Sequence, residues 1–295
     1  MGMKDEILKG VKKLAYGRCA KLFSIAYRIC VKMSYAVFSF KWFLSGKRKP
    51  GQEEVDLVKD NVTFIFKSFE RQNMAKRLFE NIQSYYPEVK VIIADDSRVP
   101  LDLTGKTLEV IQLPFNSGLS YGLNKALEKV ETPFVIRMDD DELLTPLSNF
   151  GKHLEFLIQH QEVDLVGVLP FEFPFNKSMS DIAALYYRQP MNDAPKRLKI
   201  PHMKPIEDYV VVGKPANIFI ARTEKMREVG YDDNIRMIDH NDFFYRAAGH
   251  IVSVLDEKSF VFHYHDRFNR YYQRYREDVE KDRIYIAYRR WKDKL

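Results

Sequence analysis

From Lys4 to about Trp42 the apolar residues Leu8, Val11, Leu14, Leu22, Ile25, Ile29, Met33, Ala36, Val37 and Phe40 recur every three or four positions, with Lys and Arg between them. That spacing predicts a basic amphipathic helix or helix pair. Its longest charge-free run, Met33 to Phe40, is far shorter than the ~20 apolar residues that cross a bilayer. The stretch GKRKPGQEE (46–54) collects Gly, Pro and charge as linkers do, so a boundary is expected near residue 55. Beyond it the period changes. Strand-like runs at Val62–Phe69, Val89–Ala94, Leu108–Leu113 and Pro133–Met138 are interleaved with helical patterns at Arg71–Tyr85 and Tyr121–Val130. Strand, helix, strand at this spacing predicts an α/β fold with a mostly parallel central sheet flanked by helices. A helix at about Leu147–His160 and a strand at Asp164–Leu169 follow, then a polar, proline-bearing insertion over 171–214. A strand at Asn217–Ala221, a helix at Thr223–Val229, a helix opening at Asp239 and a last strand at Phe260–His263 complete the body, 55–265. Residues 266–295 read as a basic C-terminal helix.

At 295 residues and 45% hydrophobic content the chain can bury one substantial core with appendages. Charge changes the picture more. Of a formal +6 for the whole chain, residues 1–50 alone hold twelve Lys/Arg against two Asp/Glu, and the tail is basic too, so basic ends flank an acidic body. The ends therefore suit an anionic membrane surface, on which residues 1–54 would lie in the headgroup plane. The other expectation for this helix is that it packs on its own fold. Nucleic acid is not expected as a partner, although the Tyr/Arg-rich tail is the stretch that would suit it. Cys19 and Cys30, both near the N-terminus, give the body no disulfide framework and suit a reducing compartment. No secretory pattern precedes them. A cytoplasmic location, peripheral on the inner face of the cell membrane, is the expectation.

Parallel sheets gather ligand contacts at the carboxyl ends of their strands. Asp95-Asp96-Ser97 ends the second strand and Asp139-Asp140-Asp141 follows the fourth. Three adjacent carboxylates repel one another unless a divalent cation sits among them. In extended chain Asp139 and Asp141 share one face and Asp140 takes the other; the plain alternative is a helix cap with solvated neighbours. His263 and His265 alternate at the end of the last strand, where either would complete a shell suited to Mn²⁺ or Mg²⁺. Asp239, His240 and Asp242 cluster at a helix start that could present a general base, with capping by Asp239 as the structural alternative. Asn116, Gly118 and Asn124 belong to a loop that could lie close to a diphosphate, or simply to a turn and a cap. There is no Walker motif, dinucleotide glycine fingerprint or nucleophile elbow, which argues against P-loop hydrolysis, hydride transfer and acyl transfer.

Residues 61–146, with VTFIFKSFERQNMAKRLFENI, VKVIIADDS, LPFNSGLSYGLNKAL and FVIRMDDDELLT in that order, resemble the nucleotide-binding half of GT-A glycosyltransferases of the family 2 type. The later NIFIARTEKMREVGYDDNIRMIDHNDFFYR and FVFH are similar to β-1,4-N-acetylgalactosaminyltransferases and their bacterial relatives. The resemblance implies a GT-A fold and transfer of GalNAc or GlcNAc from a UDP-sugar to a glycan or lipid-linked acceptor, with inversion, in surface polysaccharide synthesis. It implies that Asp96, with Lys67 or Ser68, lines the uracil pocket. Asp139 would contact the ribose, while Asp141, Asp139 and His263 form the metal set and Asp140 stands beside them. Asp242 would be the base, oriented by Asp239 or His240, or the two aspartates exchange roles. Segment 171–214, read from its own composition, suits an acceptor-side flap or a plain surface excursion. The alternatives are a nucleotidyl- or polyol-phosphate transferase of similar fold, or an inactive sugar-nucleotide-binding scaffold.

Overall fold

Strand β1 (Val62–Ser68) is buried at every position but Lys67, so layers must cover it on both sides. Strands β2 (Lys90–Asp95) and β3 (Leu108–Gln112) continue the sheet in parallel on one side of it, and β4 (Phe134–Arg137) lies parallel on the other. Beyond β4 come β9 (Phe219–Arg222), antiparallel to both its neighbours, then β6 (Leu165–Glu172) and β10 (Ser253–His263), which run parallel to each other. The sheet order is β3-β2-β1-β4-β9-β6-β10-β8-β7, where β8 is Tyr209–Val211 and β7 is Pro205–Ile206, with the two-residue β5 (Glu142–Leu143) pairing on β10. The structure, a computed structural model, describes Gly17, residues 20–172, Met191, and residues 194–266, 269–276 and 279–292.

Period-two alternation divides the core into two layers. Phe64, Phe66, Val91, Ile93 and Ile136 point to one face of the sheet, covered by α2 (Gln52–Asn61), α3 (Gln72–Tyr85) and α5 (Phe150–Gln159) through Val58, Leu78, Ile82 and Leu154. Ile65, Ile92, Ala94 and Val135 point to the other, covered by α4 (Leu119–Glu128), α6 (Thr223–Val229) and α7 (Asp239–Ala247) through Leu123, Met226 and Phe243. Each such side chain stabilises by roughly 1.5–3 kcal/mol of burial; truncating fully buried Leu78 to Ala would cost about 2–5 kcal/mol.

Four local differences from the sequence pattern have physical causes. The last strand begins at Ser253 instead of Phe260: an irregularity between Leu255 and Phe260 carries Asp256, Glu257 and Lys258, which hide the strand's apolar alternation. Inside the expected insertion, β7 (Pro205–Ile206) and β8 (Tyr209–Val211) form a hairpin that extends the sheet, anchored by buried Tyr209. Its residues 173–190, 192 and 193 lie outside the described residues. In the expected linker, residues 52–54 already belong to α2, and Glu54 accepts hydrogen bonds from Tyr86 Oη (3.1 Å) and Gly151 N (3.2 Å). The basic tail is divided into α8 (Arg270–Gln273) and α9 (Val279–Lys292).

Helix α1 (Ala20–Leu44) has two apolar faces. Tyr27, Val31, Tyr35 and Phe38 pack on Leu143, Phe171 and Phe262 of the body. At about 3.6 residues per turn the opposite side carries Leu22, Ile25, Ile29, Met33, Val37, Phe40 and Leu44, all exposed, Leu22 and Leu44 by 67% each. No helix among the described residues is long and apolar enough to cross a membrane. Leu8, Val11, Leu14 and Cys19 lie outside the described residues, and Cys30 is a free, exposed thiol.

Candidate active site

The chain leaves β1 toward β2 and β3 on one side and returns to β4 on the other, so the loops after β1 and β4 diverge and open a crevice at their carboxyl ends. A cavity of about 400 Å³ occupies it. Lys67, Phe69 and Arg71 enter from β1, Asp139, Asp140 and Asp141 from β4, Asp239 and His240 from α7, and His263 and His265 from the end of β10.

Strand pairing brings the acids to the histidine. The chain after Asp141 forms β5, which pairs with β10 in the register Glu142 to His263, and Tyr264 N donates to Asp141 O (2.5 Å). Asp141 Oδ1 therefore lies 3.5 Å from His263 Nε2. Metal–ligand bonds of about 2.1 Å put two ligands of one ion roughly 3–3.5 Å apart, so this pair fits a divalent cation. Burial pushes the Asp141 carboxyl up, but Arg71 and His263 outweigh it and hold it well below the usual range. Asp140 is also paired with Arg71, yet burial and its acidic neighbours raise it to about 7. Asp139, expected among the metal ligands, lines the same cavity, and the Arg137 guanidinium, fully buried beneath it, lies 2.9 Å from its Oδ1. Among the described residues no three His, Cys or acidic side chains converge as a metal cage.

Asp96 is fully buried behind the cavity wall. It pairs with Lys67 Nζ (2.5 Å) and accepts from Gly118 N (3.1 Å) and Ser117 Oγ (3.3 Å). Lys67, pushed down by burial and pulled up by Asp96, thus presents the pair to the cavity. Gly118 needs its φ of +108°, and a Cβ there would meet the Arg236 backbone at 3.3 Å. Asn116 also lines the cavity with positive φ (54°), its carbonyl accepting from Arg236. Ser68 is buried outside the lining, and Asn124 is turned away to bond Tyr231 O and Asp233.

The helix-start cluster is divided. Asp239, in the first turn of α7, lines the cavity 3.7 Å from Arg137 Nη2, and its Oδ2 has no hydrogen-bond partner among the described residues. Burial lifts its carboxyl to about 6 against the pull of Arg137. His240 also lines the cavity. Its Nε2 must carry the proton, because the atom it meets at 2.7 Å is the Pro215 carbonyl oxygen; burial lowers its pKa to about 4. Asp242, the expected base, does not line the cavity. Three residues further along, it is buried and its two oxygens are taken by Arg246 (2.9 Å) and by Arg289 of α9.

Residues 63–213, just over half of the chain, match the model of Glycosyl transferase family 2. The chain belongs to that family. The mouse protein named Beta-1,4 N-acetylgalactosaminyltransferase 2 is 29% identical over 208 residues, which cover 69% of this chain and 39% of that enzyme. This family 2 glycosyltransferase thus spans less than half the length of that relative. Staphylococcus aureus TarS (residues 1–349) superposes with a TM-score of 0.51 over 68% of this chain and 60% of its own, at 14% identity. GalNAc-T7, solved with UDP, GalNAc and Mn²⁺, gives 0.50 over 69% and 43%, at 11% identity. These likenesses carry the fold, the GT-A arrangement that the strand order implies.

In the glycosyltransferase the C-terminal tail builds one wall of the site, which the sequence pattern did not foretell. Tyr272, Tyr275 and Arg276 line the cavity, and Phe69, Phe115 and Tyr275 pack together at its edge. Asp282 of α9 accepts from the backbone N–H groups of Arg236, Met237 (2.7 Å) and Ile238, fixing the loop that carries three further lining residues. Arg71 was legible only as a cation placed just past the end of β1, where ligand contacts concentrate.

Proposed function

We propose that this enzyme transfers N-acetylgalactosamine or N-acetylglucosamine from its UDP-sugar to a hydroxyl of a glycan or lipid-linked acceptor, with inversion and with Mn²⁺ or Mg²⁺. The observation that carries the reading is the pairing of Asp141 with His263 in the switch-point cavity that Asp239 also lines, with a buried oxygen that has no hydrogen-bond partner among the described residues. A divalent ion at that pair would supply Lewis-acid neutralisation of the leaving diphosphate. Lys67, Arg71, Arg236 and Arg276 line the same cavity and add positive charge toward it. Phe69 and Phe115 offer faces for a planar base. On the acceptor side Asp239 takes the hydroxyl proton as the oxygen bonds to the anomeric carbon and the carbon–phosphate oxygen bond breaks, its electron pair leaving with UDP. A carboxyl near 6 accepts that proton at neutral pH better than an ordinary one would. Likeness to the N-acetylgalactosaminyltransferase supports the sugar class.

The exposed stripe of α1, flanked by Lys21, Arg28 and Lys32, supports attachment to an anionic membrane surface, which we place on the cytoplasmic face. Such a position suits an enzyme of surface polysaccharide synthesis.

The test is a screen of nucleotide sugars with Mn²⁺, measuring UDP released by slow hydrolysis, which needs no acceptor. Release from UDP-GalNAc or UDP-GlcNAc is expected; release only from other nucleotides, or none with any donor, would refute the donor assignment. Analysis of the transferred product separates this reading from phosphodiester formation.

A further inference from the structure

Of the cations that line the cavity, Arg71 is the one paired with both Asp140 and Asp141. It is the N-cap residue of α3, directly after Glu70, which has a left-handed φ of 53°. Its side chain is 7% exposed, stacks 4.0 Å over the Tyr272 ring, and is paired with Asp140 and, at 2.9 Å, with Asp141 Oδ2. Its Nε has no partner among the described residues. Asp141 thus offers one oxygen to a guanidinium and the other to His263.

We propose that Arg71 is a built-in counter-cation that makes the Asp141–His263 pair bind a divalent ion weakly until a nucleoside diphosphate is present. The proposal rests on the metal-dependent reading above. Without a cation, adjacent buried carboxylates repel, and the guanidinium relieves that repulsion. A divalent ion arriving alone would join a site whose acids already hold a positive charge, and in a buried site the repulsion between the two cations is poorly screened. A diphosphate brings negative oxygens that attract both. Nucleotide and cation binding are therefore coupled through Arg71 beyond the direct contacts between them, and by linkage each strengthens the other by the same factor.

The test measures Mn²⁺ affinity from the loss of the free-ion electron paramagnetic resonance signal, with and without UDP, in the parent, Arg71→Lys and Arg71→Gln. A lysine charge cannot bridge both acids, and glutamine carries none. Nucleotide-free Mn²⁺ affinity is therefore expected to rise in the order parent, Lys, Gln, with about tenfold or more between the ends, while the strengthening by UDP shrinks in the same order. Should Arg71→Gln fold only when Mn²⁺ is added, the ion is replacing the guanidinium and the proposal stands. Should it fold in neither condition, Arg71→Lys decides alone. Equal or weaker nucleotide-free affinity in the variants overturns the proposal while leaving the metal reading intact. A parent that binds no Mn²⁺ even with UDP overturns both.

Discussion

Replacing Asp239 by Asn removes the proposed proton acceptor while keeping the size of the side chain. A positioned base contributes about 10²–10⁴-fold, or roughly 3–5 kcal/mol of barrier, so turnover on an acceptor should fall by that factor. Stability should move the other way. Burial lifts this carboxyl to about 6 from an ordinary 3.8. A folded-state value above the unfolded one means that folding favours the protonated form. The ionised group therefore weakens the fold in full above pH 6 and ceases to do so as pH falls toward 3.8. Roughly two pH units correspond to about 3 kcal/mol at neutral pH, a cost that Asn does not carry. Asp239→Asn should therefore melt at or above the parent temperature at pH 7.5, and the gain should vanish near pH 4.

Asp242→Asn is the control, because it lies on the same helix three residues away. Its carboxylate is engaged by Arg246 and Arg289, which are 25% and 18% exposed. Screening at those arginines reduces the penalty of breaking a buried pair to about 1–3 kcal/mol. This variant should melt lower and, at a temperature where it is folded, transfer sugar near the parent rate. Thermal unfolding and coupled UDP release on both variants give the answer. In the parent, kcat/KM should rise with pH through about 6, as Asp239 loses its proton. Near-parent transfer by Asp239→Asn, together with slow transfer by a folded Asp242→Asn, would refute the assignment and return the base to Asp242.

Three other outcomes are expected. EDTA, or Asp141→Ala, should abolish UDP release, with activity returning on addition of Mn²⁺ only in the parent; full activity in EDTA would remove the metal from the reading. Ser at Ile29, Met33 and Phe40 together, all on the exposed stripe of α1, should abolish sedimentation with anionic vesicles while leaving UDP release unchanged, and unchanged sedimentation would mean that the stripe serves something else. Asp282→Ala leaves the N–H groups of Arg236, Met237 and Ile238 without their acceptor, which should cost about 1–3 kcal/mol in thermal unfolding and raise KM for the donor more than it lowers kcat. A stability loss with KM unchanged would show that the loop does not touch the donor.

Where burial follows a simple period, the sequence is explicit. β1, β2 and β4 alternate Phe64, Val91 and Ile136 against Ile65, Ile92 and Val135, and the crevice between β1 and β4 follows from strand order alone. The acids at that crevice were legible for the same reason, since a strand end is a fixed place. The Asp141–His263 contact required the β5–β10 register, which two residues of β5 cannot announce. Arg137, fully buried at the end of an apolar strand and 2.9 Å from Asp139 Oδ1, was not singled out from the sequence. That Asp239 lines the cavity and Asp242 does not was beyond any local pattern. Both are acids in the first turn of one helix, and what separates them is Arg289, 47 residues further along the chain, whose guanidinium reaches Asp242 and not Asp239. The tail thus bears on the chemistry indirectly: by neutralising Asp242 and cradling residues 236–238 through Asp282, it leaves Asp239 as the one acid of α7 that faces the cavity with an oxygen unpartnered among the described residues.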